Sequence, residues 1–271
     1  MAENSIDASK MPLLDHLIEL RKRLLISVVI LIVAFLVCFY FAENIFEFLT
    51  QPLADVLIER QGSGPERRLI FTDLTEVFFT YVKVAFFAGA FVCVPVFLVQ
   101  IWLFVAPGLY ENEKGAIAPF LIATPILFFI GGSLVYYVIF PLASEFFIGF
   151  EKQATTGTLA IELETKVDQY LSLIMKLIFA FGLCFELPVL MTLLAKVGIA
   201  TSAGMAAKRK YAIVGVFVVA AVFTPPDPIS QLLLAIPIIL LYEISIVLAR
   251  LVEKKRAEGE DSDDSDGSGT A

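Results

Sequence analysis

Long apolar runs separated by short polar connectors dominate the chain. Residues 24–42 form a first run without a single charge, followed by runs at 77–105, 116–140, 167–196, 211–223 and 229–248. Most reach the roughly 20 residues needed to cross a hydrocarbon core about 30 Å thick. They are continuous, whereas the strands of a membrane barrel alternate apolar and polar positions. Only helices satisfy their own backbone in lipid at such lengths. The pattern therefore predicts an all-α integral membrane protein with about six crossings. Residues 1–23 form an amphipathic lead-in, 24–250 the transmembrane bundle and 251–271 a polar tail.

The connectors predict where the helices stop. Residues 43–76 are expected as a loop, with a partly amphipathic stretch at 44–58 broken at Pro52 and a turn at Gln61-Gly62-Ser63-Gly64-Pro65. Further loops are expected at 106–115, 141–166 and 197–210. Thr224-Pro225-Pro226-Asp227-Pro228 is expected as a tight turn. The run at 211–223 amounts to about 20 Å of helix, shorter than the hydrocarbon core. The last run is interrupted by Glu243. A short terminal hairpin of this kind thins the bilayer, draws in its flanks or packs on partners.

Basic residues set the orientation. Lys10, Arg21, Lys22, Arg23, Lys114, Lys196, Lys208, Arg209, Lys210, Arg250, Lys254, Lys255 and Arg256 share one side; Arg60, Arg67, Arg68, Lys152 and Lys166 share the other. The richer side is assigned to the cytoplasm, which places both termini there. The first run is longer than the apolar segment of a secretory signal and lacks a clean small-x-small site, so it is expected to remain as an anchor.

Composition agrees with a membrane protein: 271 residues, 58% apolar. The net charge of −8 is concentrated in the tail, where Glu258, Glu260, Asp261, Asp263, Asp264 and Asp266 lie among Gly and Ser. Such a stretch cannot bury enough surface to order itself. The bases form no nucleic-acid stripe. Cys38, Cys93 and Cys184 all fall inside apolar runs and read as small hydrophobes rather than disulfide partners.

Several polar residues stand where apolar ones would be cheaper. Glu19 precedes the first run and Glu113 lies between the second and third, both on the cytoplasmic side. Paired acids among aromatic and apolar neighbours suit a cationic ligand, and the planar fork of arginine matches a carboxylate bidentately. Each also has a plainer reading. Arg23 lies at i+4 from Glu19, the better orientation for a helical pair, and Glu113 fits an exposed loop acid. Glu186 falls near mid-membrane, about 15 Å of helix from Lys176 and from Lys196. It faces a cavity or partner, or is a neutral acid hydrogen-bonded within the bundle. Gln231 suits a bond to another helix, and Asp227 suits a cap on the last helix. His16 is the only histidine, which leaves no metal cluster or His-based triad to assemble. There is no phosphate-binding G-x-x-x-x-G-K-[ST] loop. No cofactor is expected.

Five segments in order resemble the C subunit of the twin-arginine protein translocase, the TatC family. They are Asp15-His16-Leu17-Ile18-Glu19-Leu20-Arg21-Lys22-Arg23, Phe104-Val105-Ala106-Pro107-Gly108-Leu109-Tyr110, Ala180-Phe181-Gly182-Leu183-Cys184-Phe185-Glu186-Leu187-Pro188, Lys208-Arg209-Lys210-Tyr211, and Thr224-Pro225-Pro226-Asp227 with Ser230-Gln231. The resemblance implies a concave bundle in the bacterial inner membrane, without enzymatic activity. It would act as a receptor for folded proteins carrying twin-arginine signal peptides, with transport driven by the protonmotive force. It assigns Glu19, Arg21, Phe104 and Glu113 to signal binding and Glu186 to an intramembrane polar site. Thr224 and Gln231 fall on the hairpin where single-span TatA- and TatB-type subunits dock; Pro52 and Asp227 take structural positions in the external loops. Self-association in a larger complex and contact with lipid follow. Gly115 departs from the family pattern of bases after the acid at Glu113.

Three other readings compete. A proton-coupled small-solute secondary transporter would use Glu186, but it predicts internal repeats with matching broken helices, which the sequence lacks. A membrane enzyme needs a nucleophile, base or metal constellation. A pure scaffold predicts no contact with a signal peptide.

Overall fold

The computed structural model describes the backbone over residues 3–60, 68–105, 114–151, 164–224 and 227–267, and side chains over 16–58, 68–101, 104, 120–151, 164–224 and 227–254. Among these residues the chain forms α1 (Glu3–Tyr40), α2 (Ala42–Arg60), α3 (Glu76–Val105), α4 (Lys114–Leu134), a π-helical turn (Val135–Ile139), α5 (Phe140–Ile148), α6 (Val167–Cys184), α7 (Leu187–Lys196), α8 (Ser202–Ala207), α9 (Arg209–Phe223) and α10 (Pro228–Gly267). Five stretches are long and apolar enough to cross a membrane: His16–Tyr40, Glu76–Ile101, Phe120–Ile148, Val167–Lys196 and Pro228–Lys254. At 15 residues, α9 is the short apolar helix that its run of hydrophobes predicts. The β pairing among the described residues is one isolated parallel bridge, Ile70 to Lys166.

Packing divides the chain into two units, Met1–Phe48 with Asp73–Pro125, and Leu49–Thr72 with Ile126–Ala271. In the first, α1 lies antiparallel against α3. The contacts Phe35 to Phe86, Cys93 Sγ to the Ile30 carbonyl, and His16 to Phe104 follow the two helices in opposite directions. Close approach is possible because Gly89 faces α1: a Cβ there would lie 2.9 Å from the backbone nitrogen of Phe35. Leu25, Val29, Val33 and Leu36 remain exposed on the outside of α1. A helix that is apolar on its free face needs lipid to cover it. The antiparallel arrangement brings the polar start of α1 to the end of α3.

The second unit holds most of the buried side chains. Gly131 and Gly182 mark the crossing of the later part of α4 with α6. A Cβ on Gly131 would fall 2.7 Å from the Phe181 carbonyl oxygen, and one on Gly182 2.5 Å from the Phe128 ring. Small residues are the general device for close helix approach in membranes. Tyr170 packs edge-on against Phe140 and donates its hydroxyl proton to the Leu49 carbonyl at 2.8 Å. At the other end of this unit, Ala195, Met205, Tyr242, Ile246 and Ala249 form a cluster. There Glu253 of α10 accepts from the backbone N–H (2.7 Å) and hydroxyl (2.6 Å) of Ser202 at the start of α8.

Prolines account for several differences from the expected boundaries. Pro52 does not break its segment: α2 runs through it from Ala42 to Arg60. Leu49, Leu53 and Val56 are buried at 3%, 4% and 6% exposure, a stripe of helical spacing that holds the helix across the missing N–H. The third crossing does not end at Phe140. A π turn over Val135–Ile139 intervenes and the helix continues as α5, with Pro141 just past the wide turn. The fourth run, conversely, is two helices. Pro188 cannot donate to the turn before it, so α6 stops at Cys184 and α7 begins at Leu187. The last helix is not interrupted at Glu243, whose carboxylate accepts from Arg209 at the start of α9 at 2.7 Å. Glutamate interrupts the apolar run but not the helix, being a good helix former, and the span-length segment of α10 covers 27 residues. The helix runs on to Gly267, through the stretch expected to be unordered.

Candidate functional site

Residues His16, Glu19 and Arg23 recur at helical spacing along α1 and share one face. The helix pairing places them beside Gln100 and Phe104 of α3. His16 stacks on Phe104 with ring centroids 4.1 Å apart and planes 21° from parallel. Arg23 donates from Nε (3.0 Å) and Nη2 (2.5 Å) to Oε1 of Glu19, and from Nη1 to Oε1 of Gln100 (3.1 Å). The i,i+4 pair legible in the sequence therefore forms, and it is tied to a second helix by an amide. The Glu19 side chain is 34% exposed and that of Arg23 20%. The carboxylate thus stays open to a ligand.

Below this rim lies a groove of about 350 Å³ between α1 and α3, lined by Leu20, Leu24, Leu31, Phe97, Ile101 and Phe104 with Arg23 at its polar end. It offers an apolar surface whose polar end is the Arg23 paired to Glu19, with Phe104 beside it. Arg21, exposed on α1, is two residues from Glu19 and leaves the helix on a different face. Glu113 lies outside the described residues.

The remaining predicted positions fall in the second unit. Glu186 occupies the joint between α6 and α7, preceding Leu187 and Pro188 at the start of α7. A carboxylate is favoured at a helix N-terminus by the dipole and the unsatisfied N–H groups. Its Oε1 is shielded from solvent, and Phe185 beside it faces Gly131. Thr224 is buried and donates its hydroxyl proton to the Ala220 carbonyl at 2.8 Å, closing α9. Gln231 reaches back from α10 and donates from Nε2 to the Phe217 carbonyl of α9 at 3.0 Å. Asp227 caps α10, accepting the Ser230 N–H at 2.7 Å. Pro52 is buried within α2.

Three members of these constellations escape a residue-by-residue reading: Gln100, His16 in its stacking role, and the Arg209–Glu243 pair. Gln100 carried a signal, as an isolated amide in the apolar segment from Val92 to Val105.

Fold and site together define a polytopic all-helical membrane protein that presents an acid, paired to an arginine that a neighbouring amide holds, near an aromatic stack at one end of its helices. Comparison with known proteins makes the class specific. Residues 15–237 match the family model described as Sec-independent protein translocase protein (TatC). A protein of that name from Magnetococcus marinus is 54% identical over 251 residues, spanning 93% of this chain and 88% of the relative. One from Escherichia coli K12 is 42% identical over 239 residues, covering 88% of each. The crystal structure of a twin-arginine translocase receptor, TatC, aligns with a TM-score of 0.74 at 40% identity, covering 88% of this chain and 99% of the other. The chain belongs to the TatC family. It is a multi-pass inner-membrane component of a Sec-independent protein translocase, not an enzyme.

Proposed function

We propose that this chain is the receptor subunit that reads twin-arginine signal peptides at the cytoplasmic rim of the membrane, with both termini on that side. The observation that carries the reading is the Glu19 carboxylate, fixed at the junction of α1 and α3 near the His16–Phe104 stack, with its partner Arg23 at the polar end of an apolar groove. A signal presents two guanidiniums followed by an apolar run, and this mouth has an acid followed by an apolar surface. Glu113 supplies the second carboxylate, Phe104 the aromatic wall, and Arg21 orients acidic or main-chain groups around the motif. Solvated ion pairs contribute only about 0.2–1 kcal/mol. Useful affinity therefore comes from partly desolvating the pairs, where truncating one partner costs about 2–5 kcal/mol.

Glu186 serves as a polar anchor inside the membrane for the inserted signal. The α9–α10 hairpin, with Thr224 and Gln231, receives single-span subunits of the TatA and TatB type. Val214, Val218 and Val222 stand exposed on α9 and offer the apolar face such a helix would cover. Self-association builds the larger complex, and the protonmotive force supplies the energy. Pro52 and Asp227 keep the external segments in shape.

Photo-cross-linking of a twin-arginine peptide to inner-membrane vesicles tests the assignment. Glu19→Ala and Glu113→Ala are each expected to reduce cross-linking about tenfold or more, the equivalent of losing one partly desolvated pair, while the protein still inserts. Undiminished cross-linking in both variants would refute recognition by these acids.

A further inference from the structure

Arg23 is the last charge before the uncharged run of residues 24–42, so it sits where the hydrocarbon core begins. A guanidinium carries five N–H donors. The bonds to Glu19 on α1 and Gln100 on α3 use one on Nε and one on each terminal nitrogen. One donor on Nη1 and one on Nη2 therefore remain, on a group that two helices hold in place. From Arg23 the groove of about 350 Å³ continues between α1 and α3 as far as Leu31 and Phe97, about 12 Å of helix further into the membrane. Ser27 is the smallest side chain of its α1 wall. Leu24, Val28 and Ile101 of the walls are exposed, so in a membrane the groove opens to lipid.

We propose that this groove is a binding site for an anionic phospholipid: one acyl chain lies between α1 and α3, and the lipid phosphate accepts from the two spare donors of Arg23. The size of the groove selects a chain. Spread along the wall from Leu20 to Leu31, 350 Å³ leaves a cross-section of a few tens of Å², whereas a helix with its side chains needs on the order of 100 Å². A partner helix therefore packs over the groove rather than in it. The polar end selects a phosphate, because charge-assisted bonds from guanidinium to phosphate oxygen are among the stronger hydrogen bonds. Charge selects an anionic headgroup over a zwitterionic one. The segment Glu19–Arg23 sets one acid against three bases, and Arg21 and Lys22 are exposed on other faces of α1. Such bases raise the local potential at the membrane surface and favour a lipid of net negative charge. Basic pockets between membrane helices bind anionic headgroups by this chemistry. The proposal does not rest on the reading of Glu19 as a signal-binding acid, since it uses the other member of the pair.

The test reconstitutes the full chain in phosphatidylcholine vesicles. The probes are two phospholipids with the same photoreactive acyl chain, one with a phosphatidylglycerol and one with a phosphatidylcholine headgroup, each added in trace amount. Labelled segments are mapped by digestion and mass spectrometry. The phosphatidylglycerol probe is expected to label residues 24–31 and 97–101 about fivefold or more over the phosphatidylcholine probe. In Arg23→Gln this ratio is expected to fall to about twofold or less, and in Arg23→Lys, which keeps the charge but not the planar fork, to an intermediate value. Ser27→Trp fills the groove with every charge in place. It is expected to reduce labelling of both segments by both probes, and it decides the question should Arg23→Gln fail to insert. Glu19→Gln releases donors of Arg23 and is expected to keep or raise the ratio. Equal labelling by the two headgroups, or a ratio that Arg23→Gln leaves unchanged, reduces the groove to ordinary boundary lipid and overturns the proposal. Loss of the ratio in Glu19→Gln does the same by giving the site to the acid. Labelling that disappears from both segments when the single-span subunits are added in equal amount assigns the groove to a partner helix and likewise overturns it.

Discussion

Gly182 leaves no room for a side chain. With a Cβ 2.5 Å from the Phe128 ring, itself fully buried, Gly182→Ala forces α6 away from α4. Overpacking of a filled core costs about 1–3 kcal/mol. The expected result is a lower unfolding temperature of the detergent-purified protein, with Gly215→Ala, which meets nothing within 4 Å and gains helix propensity, not lowering it. The same scale shows which parts of the site are legible in the sequence. The Glu19–Arg23 pair is readable because its spacing lies within one helical turn. Its anchor on Gln100 lies 77 residues away, and no local rule links them. Glu243 reads as an interruption in isolation. Its partner Arg209 stands 34 residues earlier, so the tie between α9 and α10 that it makes is invisible locally.

Among the elements, three prolines behave in three ways. Pro52 is carried inside a continuous helix, Pro141 opens α5 and Pro188 separates α6 from α7. Proline chemistry alone predicts a disturbance at each; the outcome depends on what the flanking turns bury, which a sequence does not display. Pro188→Ala restores the missing donor and is expected to join α6 to α7. Spin labels at positions 176 and 196, in a background without the native cysteines, should then move apart toward the about 30 Å of a straight 20-residue helix. An unchanged distance would assign the break to packing around Phe185 instead. The hairpin carries its own prediction. Gln231→Leu removes the amide that joins α10 to the Phe217 carbonyl and is expected to impair co-purification of single-span subunits more than signal-peptide cross-linking. Equal co-purification would place the docking surface elsewhere.

For the whole molecule, the apolar runs made the class of fold legible, because the demand for internally satisfied backbone in lipid leaves few alternatives. The division of the chain into two packed units was not legible. It depends on long-range pairings such as Tyr170 with Leu49, which no periodicity reports. The proposed orientation has a direct check: reporters fused after residue 65 should be active only outside the cytoplasm, and reporters at residue 271 only within it. An active cytoplasmic reporter at residue 65 would invert the reading of the basic residues.

The π turn at Val135–Ile139 has a consequence for everything after it. It works as one surplus residue in an otherwise regular spiral, and each residue advances the spiral by about 100°. Deleting one residue there would remove the surplus and leave a regular helix whose later half keeps its present phase, with Phe140 still on Tyr170 and Ser144 and Ile148 still inside. Forcing the same residues into α geometry without the deletion would instead rotate that half by about 100°, swing Phe140 off Tyr170 and turn the exposed Glu145 toward the interior. The wide turn is thus what reconciles the residue count of this crossing with the faces it buries.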